Sequence, residues 1–255
     1  MKPITIRNLS IGKGRPKICI PIIASDKEEI LAAAKEIIQL PADLIEWRAD
    51  WYEDAYHPEK VLELASQMRQ ILGNLPFLFT FRTEREGGEK SITPEEYLNL
   101  NLVMAESGYI DLLDVELFTG ETAVTQIIQK AHENQVRVML SNHDFFKTPP
   151  KEELEGRLKK MHQLGGDILK LAMMPQSKRD LLTLLEVTLE MSEAIADCPI
   201  VTMSMGSMGV ISRLAGETFG SAITFGAAKQ RSAPGQVEVR ELTEALEIIH
   251  RNQNF

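Results

Sequence analysis

The chain has 255 residues, of which 44% are hydrophobic, enough to bury most of its unfolded surface in one core and close to the usual size of a (β/α)8 barrel. Its 28 basic and 37 acidic residues give a net charge of −9, with no block of like charge long enough for a nucleic-acid arm or a basic membrane patch. That balance argues against extended contact with nucleic acid or membrane, while leaving room for a few inward arginines to hold a small anion.

The opening MKPITIRNLS lacks the continuous apolar stretch of a signal peptide, and the longest apolar run, Ile18 to Ala24, is too short to span a bilayer. The expectation is a cytoplasmic protein, with one domain over 1–255 and a small N-terminal cap over 1–16. Strand-like runs then follow at 18–23, 44–48, 77–82, 110–116, 136–142, 167–172, 200–205 and 222–225. Between them lie segments of helical period. Ile30, Leu31, Ala34, Ile37 and Ile38 share one face, as do Ala123, Val124, Ile127, Ile128 and Ala131. Thr93-Pro94-Glu95-Glu96 reads as a capped helix start, and Ser177 to Asp180 as a weaker one. Eight such units, without a Gly-rich fingerprint after the first strand, predict a (β/α)8 TIM barrel rather than an open doubly wound sheet. Cys19 and Cys198, each in an apolar stretch and far from another thiol, read as core residues.

Barrel strands alternate between lumen and helix layer, so parity sorts the charged residues. Glu46 and Arg48 share a face with Leu44, and Lys170 shares one with Ile168 and Ala172. Arg82 falls at the exit of the third strand, before a loop carrying Glu84, Arg85, Glu86 and Glu89. His143 falls just past the end of the fifth. All lie toward carboxyl ends of strands, where active sites of this fold sit.

Each residue also has a plainer reading. Lys170 serves equally as a snorkelling or ion-paired lysine, and His143 as a structural histidine. Glu46 and Arg48 could form a structural ion pair. Against that, an amine in a low-dielectric lumen near arginines loses its proton more easily than its reference pKa of roughly 10.4 suggests, and only the neutral amine attacks a carbonyl. The other four histidines fall in helical segments or beside a proline, and no HExxH or HxH is present, so metal chemistry has little support. Met203 and Met205 suit core and pocket wall. The turn MGSMGVISR is open to two readings: a phosphate cradle at Gly206 and Gly209, or Arg213 gripping a carboxylate. Residues 227–239 have the composition of a mobile lid or of a plain surface loop.

Six segments occur in the order and spacing of one family: EWR at 46–48, FRTEREGGE at 81–89, SNHDF at 141–145, LKLAMMP at 169–175, SMGSMGVISR at 204–213 and SAPGQ at 232–236. The chain resembles the type I 3-dehydroquinate dehydratases over essentially its whole length. This resemblance implies a barrel enzyme, usually a homodimer, that takes a small-molecule substrate and needs no cofactor or metal. It also implies dehydration of 3-dehydroquinate to 3-dehydroshikimate in the shikimate route. By position, Lys170 matches the family's Schiff-base lysine, His143 its general acid and base, and Glu86 the carboxylate that orients the histidine. Arg213, Ser232 and Gln236 match residues around the substrate carboxylate; Glu46, Arg48 and Arg82 match those that hold ring hydroxyls. Two other functions stay open on the residues alone: a Schiff-base aldolase acting on a phosphosugar, and a catalytically silent barrel used as a scaffold.

Overall fold

The computed structural model describes residues 2–195 and 197–253. Within them the apolar runs form ten strands. Two are short and N-terminal, β1 (Ile4–Ile6) and β2 (Leu9–Ile11). The others are β3 (Lys17–Ile22), β4 (Leu44–Arg48), β5 (Phe77–Thr80), β6 (Leu112–Glu116), β7 (Arg137–Asp144), β8 (Ile168–Met173), β9 (Ile200–Ser204) and β10 (Ile223–Phe225). The helices between and after them are α1 (Lys27–Ile37), α2 (Pro58–Leu72), α3 (Pro94–Glu106), α4 (Glu121–Glu133), α5 (Lys151–Gln163), α6 (Lys178–Ala194), α7 (Val210–Leu214), α8 (Gly216–Phe219) and α9 (Val239–Gln253).

Strands β3 to β9 pair in parallel and in sequence order, and β10 pairs with β3. The remaining seam, β9 to β10, is bridged where the Ala222 N–H donates to the Ile200 carbonyl at 2.8 Å and the Thr202 N–H donates to Ser221 Oγ at 3.0 Å. The result is the (β/α)8 barrel that the alternation predicts.

Most strand ends shift by one or two residues from the sequence expectation, and two of the shifts bear on the site. Strand β5 stops at Thr80 because the next amides leave the ladder: the Arg82 N–H donates to Asp50 at 3.3 Å and the Thr83 N–H to Glu116 at 2.8 Å. Strand β7 runs on to Asp144, so His143 lies inside it, paired with Ala172 of β8, rather than past its end.

The helix starts behave as their residues dictate. Thr93 Oγ accepts the Glu96 N–H at 3.2 Å while Glu96 accepts the Thr93 N–H at 3.0 Å, and Ser177 and Asp180 complete the same box on α6. Helix α1 buries Ile30, Ala34 and Ile37, but Ile38 is its C-cap and is 38% exposed. On α4, Val124, Ile127, Ile128 and Ala131 are buried as the period predicts.

One apolar layer fills the space between sheet and helices, where Trp47 meets Phe79 edge-on at 5.5 Å. The second floors the lumen: Cys19, Leu44, Leu78, Leu112, Met139, Ile168, Val201 and Ile223, closed from below by Ile6 and Ile11 of the β1–β2 hairpin. Above this floor the lumen turns polar, which places the site at the carboxyl ends.

At the opposite end, an aspartate just before a strand ties the wall together. Asp43 accepts the Ile18 N–H at 2.7 Å, Asp111 the Phe77 N–H at 2.9 Å and Asp167 the Val138 N–H at 2.8 Å. Basic side chains then lock each carboxylate; Arg7 and Arg69 each reach Asp111 at 2.6 Å. Asp111→Ala leaves the half-buried Arg69 and the Phe77 amide without this acceptor, and should lower the unfolding free energy by about 2–4 kcal/mol. Urea denaturation measures this; an unchanged midpoint would remove Asp111 from the role.

Candidate active site

All nine residues singled out in the sequence line one cavity of about 450 Å³, open mouth included: Glu46, Arg48, Arg82, Glu86, His143, Lys170, Arg213, Ser232 and Gln236. They come from β4, β7, β8, α7 and the loops after β5 and β10, so no local segment could form the site alone.

Lys170 is 3% exposed. Its Nζ lies 3.1 Å from Asp114 Oδ2 and 4.4 Å from the centre of the Phe225 ring. The sequence placed arginines beside this amine; the group within hydrogen-bond reach is a carboxylate. Arg82 holds the other oxygen of Asp114 at 2.8 Å and also donates to Glu116 at 2.9 Å and Ser141 at 3.1 Å. Burial alone pushes the Asp114 carboxyl up, but Arg82, Lys170 and Ser141 outweigh it and hold the group at about 2.

His143 faces Glu86 through its ring: Nδ1 lies 2.9 Å from Glu86 Oε2, and the His143 backbone N–H donates to the same oxygen at 2.8 Å. The other Glu86 oxygen accepts from Asn142 Nδ2 at 2.8 Å. Burial, reinforced by Arg82, Lys170 and Arg48, keeps His143 well below its usual pKa and therefore neutral. Burial and Glu116 push Glu86 up to about 8, against the pull of Arg82. Once Glu86 is ionised, Nδ1–H donates to it and Nε2 is left as a free acceptor.

Arg48 does not pair with Glu46. It donates twice to Asp50, each bond 2.8 Å, because the chain turns into a short helix directly after β4 and brings Asp50 back onto it. Glu46 instead accepts from the Thr80 hydroxyl at 2.9 Å.

Arg213, on α7, is 1% exposed and meets no carboxylate among the described residues. Its donors find only the Phe225 carbonyl at 3.3 Å, the Pro234 carbonyl at 3.1 Å and the Met203 sulfur at 3.7 Å, and its Nε has no partner among the described residues. Burial lowers its pKa to about 10. The loop after β10 closes over it. Ser232 and Gln236 bond to each other twice, at 2.8 and 2.9 Å, and the Gly206 N–H donates to the Pro234 carbonyl at 3.1 Å. Gly235, at φ +79°, packs so closely that a Cβ there would stand 2.3 Å from the Gly206 carbonyl oxygen.

The sequence profile of the type I 3-dehydroquinase family matches residues 18–253. The chain belongs to this family. The 3-dehydroquinate dehydratase of Clostridioides difficile strain 630 is 48% identical over 253 residues, 99% of each chain. That of Salmonella typhimurium strain LT2 is 48% identical over 251 residues, 98% of this chain and all of its own. A crystal structure of type I 3-dehydroquinate dehydratase from Clostridium difficile with covalently modified comenic acid superposes with a TM-score of 0.96 at 49% identity, covering 99% of this chain and 100% of that one.

In this type I 3-dehydroquinase, several buried site residues escaped the sequence reading. Asp114 and Glu116 were legible by parity, because they share a face with Leu112 on β6. Ser141 is likewise in phase with Met139. Asp50 carried no such signal. Among the described residues, the one group of three metal-donor side chains close enough to share an ion, His162, Asp197 and Cys198, belongs to the opposite end of the barrel.

Asp114 also sets a pH dependence. Its folded pKa of about 2 lies below its ordinary 3.8, so the stability it contributes is present above pH 4 and is lost as pH falls through 2. In acid unfolding curves, the gap between wild type and Asp114→Asn should narrow by about 2 kcal/mol across that window. Parallel curves would refute the assignment.

Proposed function

We propose that the chain dehydrates 3-dehydroquinate to 3-dehydroshikimate through a Schiff base on Lys170, with His143 moving the protons. The observation that carries this reading is that a buried amine, Lys170, and a buried guanidinium without an anion, Arg213, line the same cavity. A cation left unpaired at that depth is costly unless the ligand brings a negative charge, and a carboxylate accepts two parallel bonds from a guanidinium. The family likeness names the acid.

The chemistry requires these residue types. Lys170 Nζ adds to the ketone carbon, and loss of water leaves an iminium, a far better electron acceptor than the ketone. His143 Nε2 then removes the proton from the adjacent carbon, and the electron pair is held as an enamine. Collapse of the enamine expels the β-hydroxyl, which leaves as water with the proton that His143 carries. Hydrolysis of the conjugated iminium frees the enone and restores Lys170, so the net change is loss of one water. Arg213 holds the substrate carboxylate, Ser232 and Gln236 close over it, and Glu46, Arg48 and Arg82 meet the ring hydroxyls. Glu86 orients His143. The steps are redox-neutral overall, with the electron pair held by the Lys170 iminium and the proton by His143, so they call for no redox cofactor.

A phosphosugar aldolase fits less well. The Gly206 and Gly209 amides, which would have to cradle the phosphate, already donate to the Pro234 and Gly206 carbonyls. The proposed product belongs to the shikimate route, and on the same family likeness we place the enzyme in the cytoplasm as a homodimer. Light scattering on the purified protein should give twice the mass of the chain; a monomer at micromolar concentration would refute the dimer.

The decisive experiment is borohydride reduction in the presence of 3-dehydroquinate, followed by peptide mapping. An adduct is expected on Lys170, absent from Lys170→Met. His143→Ala should still form the adduct while turning over about two to four orders of magnitude more slowly. Turnover by Lys170→Met at the wild-type rate would sink the covalent mechanism. With Glu86 titrating near 8, kcat/KM should rise through that pH and fall below it, because a proton on Glu86 forces one onto Nε2.

A further inference from the structure

Arg157 projects from α5, outside the barrel wall, and lines no part of the cavity. One terminal nitrogen donates to Asn142 Oδ1 at 2.5 Å, the other pairs with Glu153, and the guanidinium carbon lies 5.4 Å from the centre of the Phe118 ring. The side chain is 12% exposed, and its Nε has no partner among the described residues. So buried a guanidinium, held from three sides, has little freedom to turn.

Asn142 occupies the alternate phase of β7. Ser141 and His143 take the lumen side, and Asn142, itself buried, takes the side of the helix layer. Its Nδ2 donates to Glu86 Oε1 at 2.8 Å. A carboxamide has a donor end and an acceptor end, and half a turn about its last bond exchanges them. In the turned state the amide NH2 would face the Arg157 donors and the amide oxygen would face the Glu86 carboxylate. Both contacts are repulsive.

We propose that Arg157 is a positioning residue for proton transfer: it locks the Asn142 amide with its nitrogen toward Glu86, and thereby favours the ionised carboxylate that leaves His143 Nε2 free. This rests on the reading of His143 as the base. The groups that face Glu86 are Arg82, at 3.8 Å and already committed to Asp114 and Glu116; Glu116 itself, which opposes ionisation; and His143. Behind Asn142 stand Arg157 and Glu153. The Asn142 amide is thus a neutral donor whose direction is set from outside the site.

The test is the pH profile of kcat and kcat/KM for Arg157→Met, Arg157→Lys, Asn142→Leu and the Arg157→Met/Asn142→Leu double variant, with borohydride trapping run on each. Loss of one donor to the carboxylate should move the acid limb of Arg157→Met up by about one pH unit, a loss of about tenfold on the acid side, with wild-type kcat recovered at high pH and KM unchanged. Arg157→Lys retains a donor and should restore the profile. The double variant should shift no further than Asn142→Leu, because both act through one bond. Asn142→Asp keeps Arg157 paired while removing the donor to Glu86, and should move the limb the same way even if Arg157→Met fails to fold. A limb at the wild-type position in Arg157→Met or Asn142→Asp, or a loss equal at every pH, overturns the proposal. Absence of a Lys170 adduct in the wild type would instead overturn the mechanism on which it rests.

Discussion

The buried guanidinium of Arg82 is the contact on which the rest of the site depends. A charge inside a barrel costs several kcal/mol unless its hydrogen bonds are met, and Arg82 meets them by reaching Asp114 and Glu116 of β6 and Ser141 of β7. Because Asp114 gives one oxygen to Arg82 and the other to Lys170, the arginine also fixes where the amine stands. The position of Lys170 is in this way settled by a residue three strands away in the wall.

Arg213 shows the reverse arrangement. Every other guanidinium at the cavity has carboxylate partners, whereas Arg213 has carbonyl oxygens and a thioether. Folding therefore leaves one cation with its charge unanswered, held in place by α7 and by the loop after β10. Proteins break the rule that buried charges are paired chiefly where a ligand is to supply the partner. The pairing of His143 with Glu86 follows a related logic: burial keeps the imidazole neutral, and the carboxylate decides which nitrogen is left open.

The barrel was legible because strands covered on both faces read as unbroken apolar runs, and because helix starts such as Thr93 to Glu96 carry their own caps. Parity sufficed to turn Glu46, Arg48 and Lys170 inward, and it would equally have turned Asp114 and Glu116. Glu86 was legible only through the family likeness, since it stands in a loop whose path no periodicity describes. The extra length of β7 was hidden because it depends on the register with β8. Asp50 became the partner of Arg48 through a turn that neither residue specifies. The isolation of Arg213 is a property of everything around it, and no local pattern encodes that.

The distribution of charge along the chain has a consequence for how the barrel assembles. The segments through β6 bring Glu46, Asp50, Glu86, Asp114 and Glu116 to the interior with only Arg48 and Arg82 to balance them, whereas those from β7 onward bring Lys170 and Arg213 with no carboxylate lining the cavity. In the interior, a fragment ending after β6 would therefore hold a surplus of acids, and the remainder the bases Lys170 and Arg213. These buried charges find partners such as Asp114 with Lys170 only when the two parts meet, so closure of the ring and completion of the site become one cooperative event.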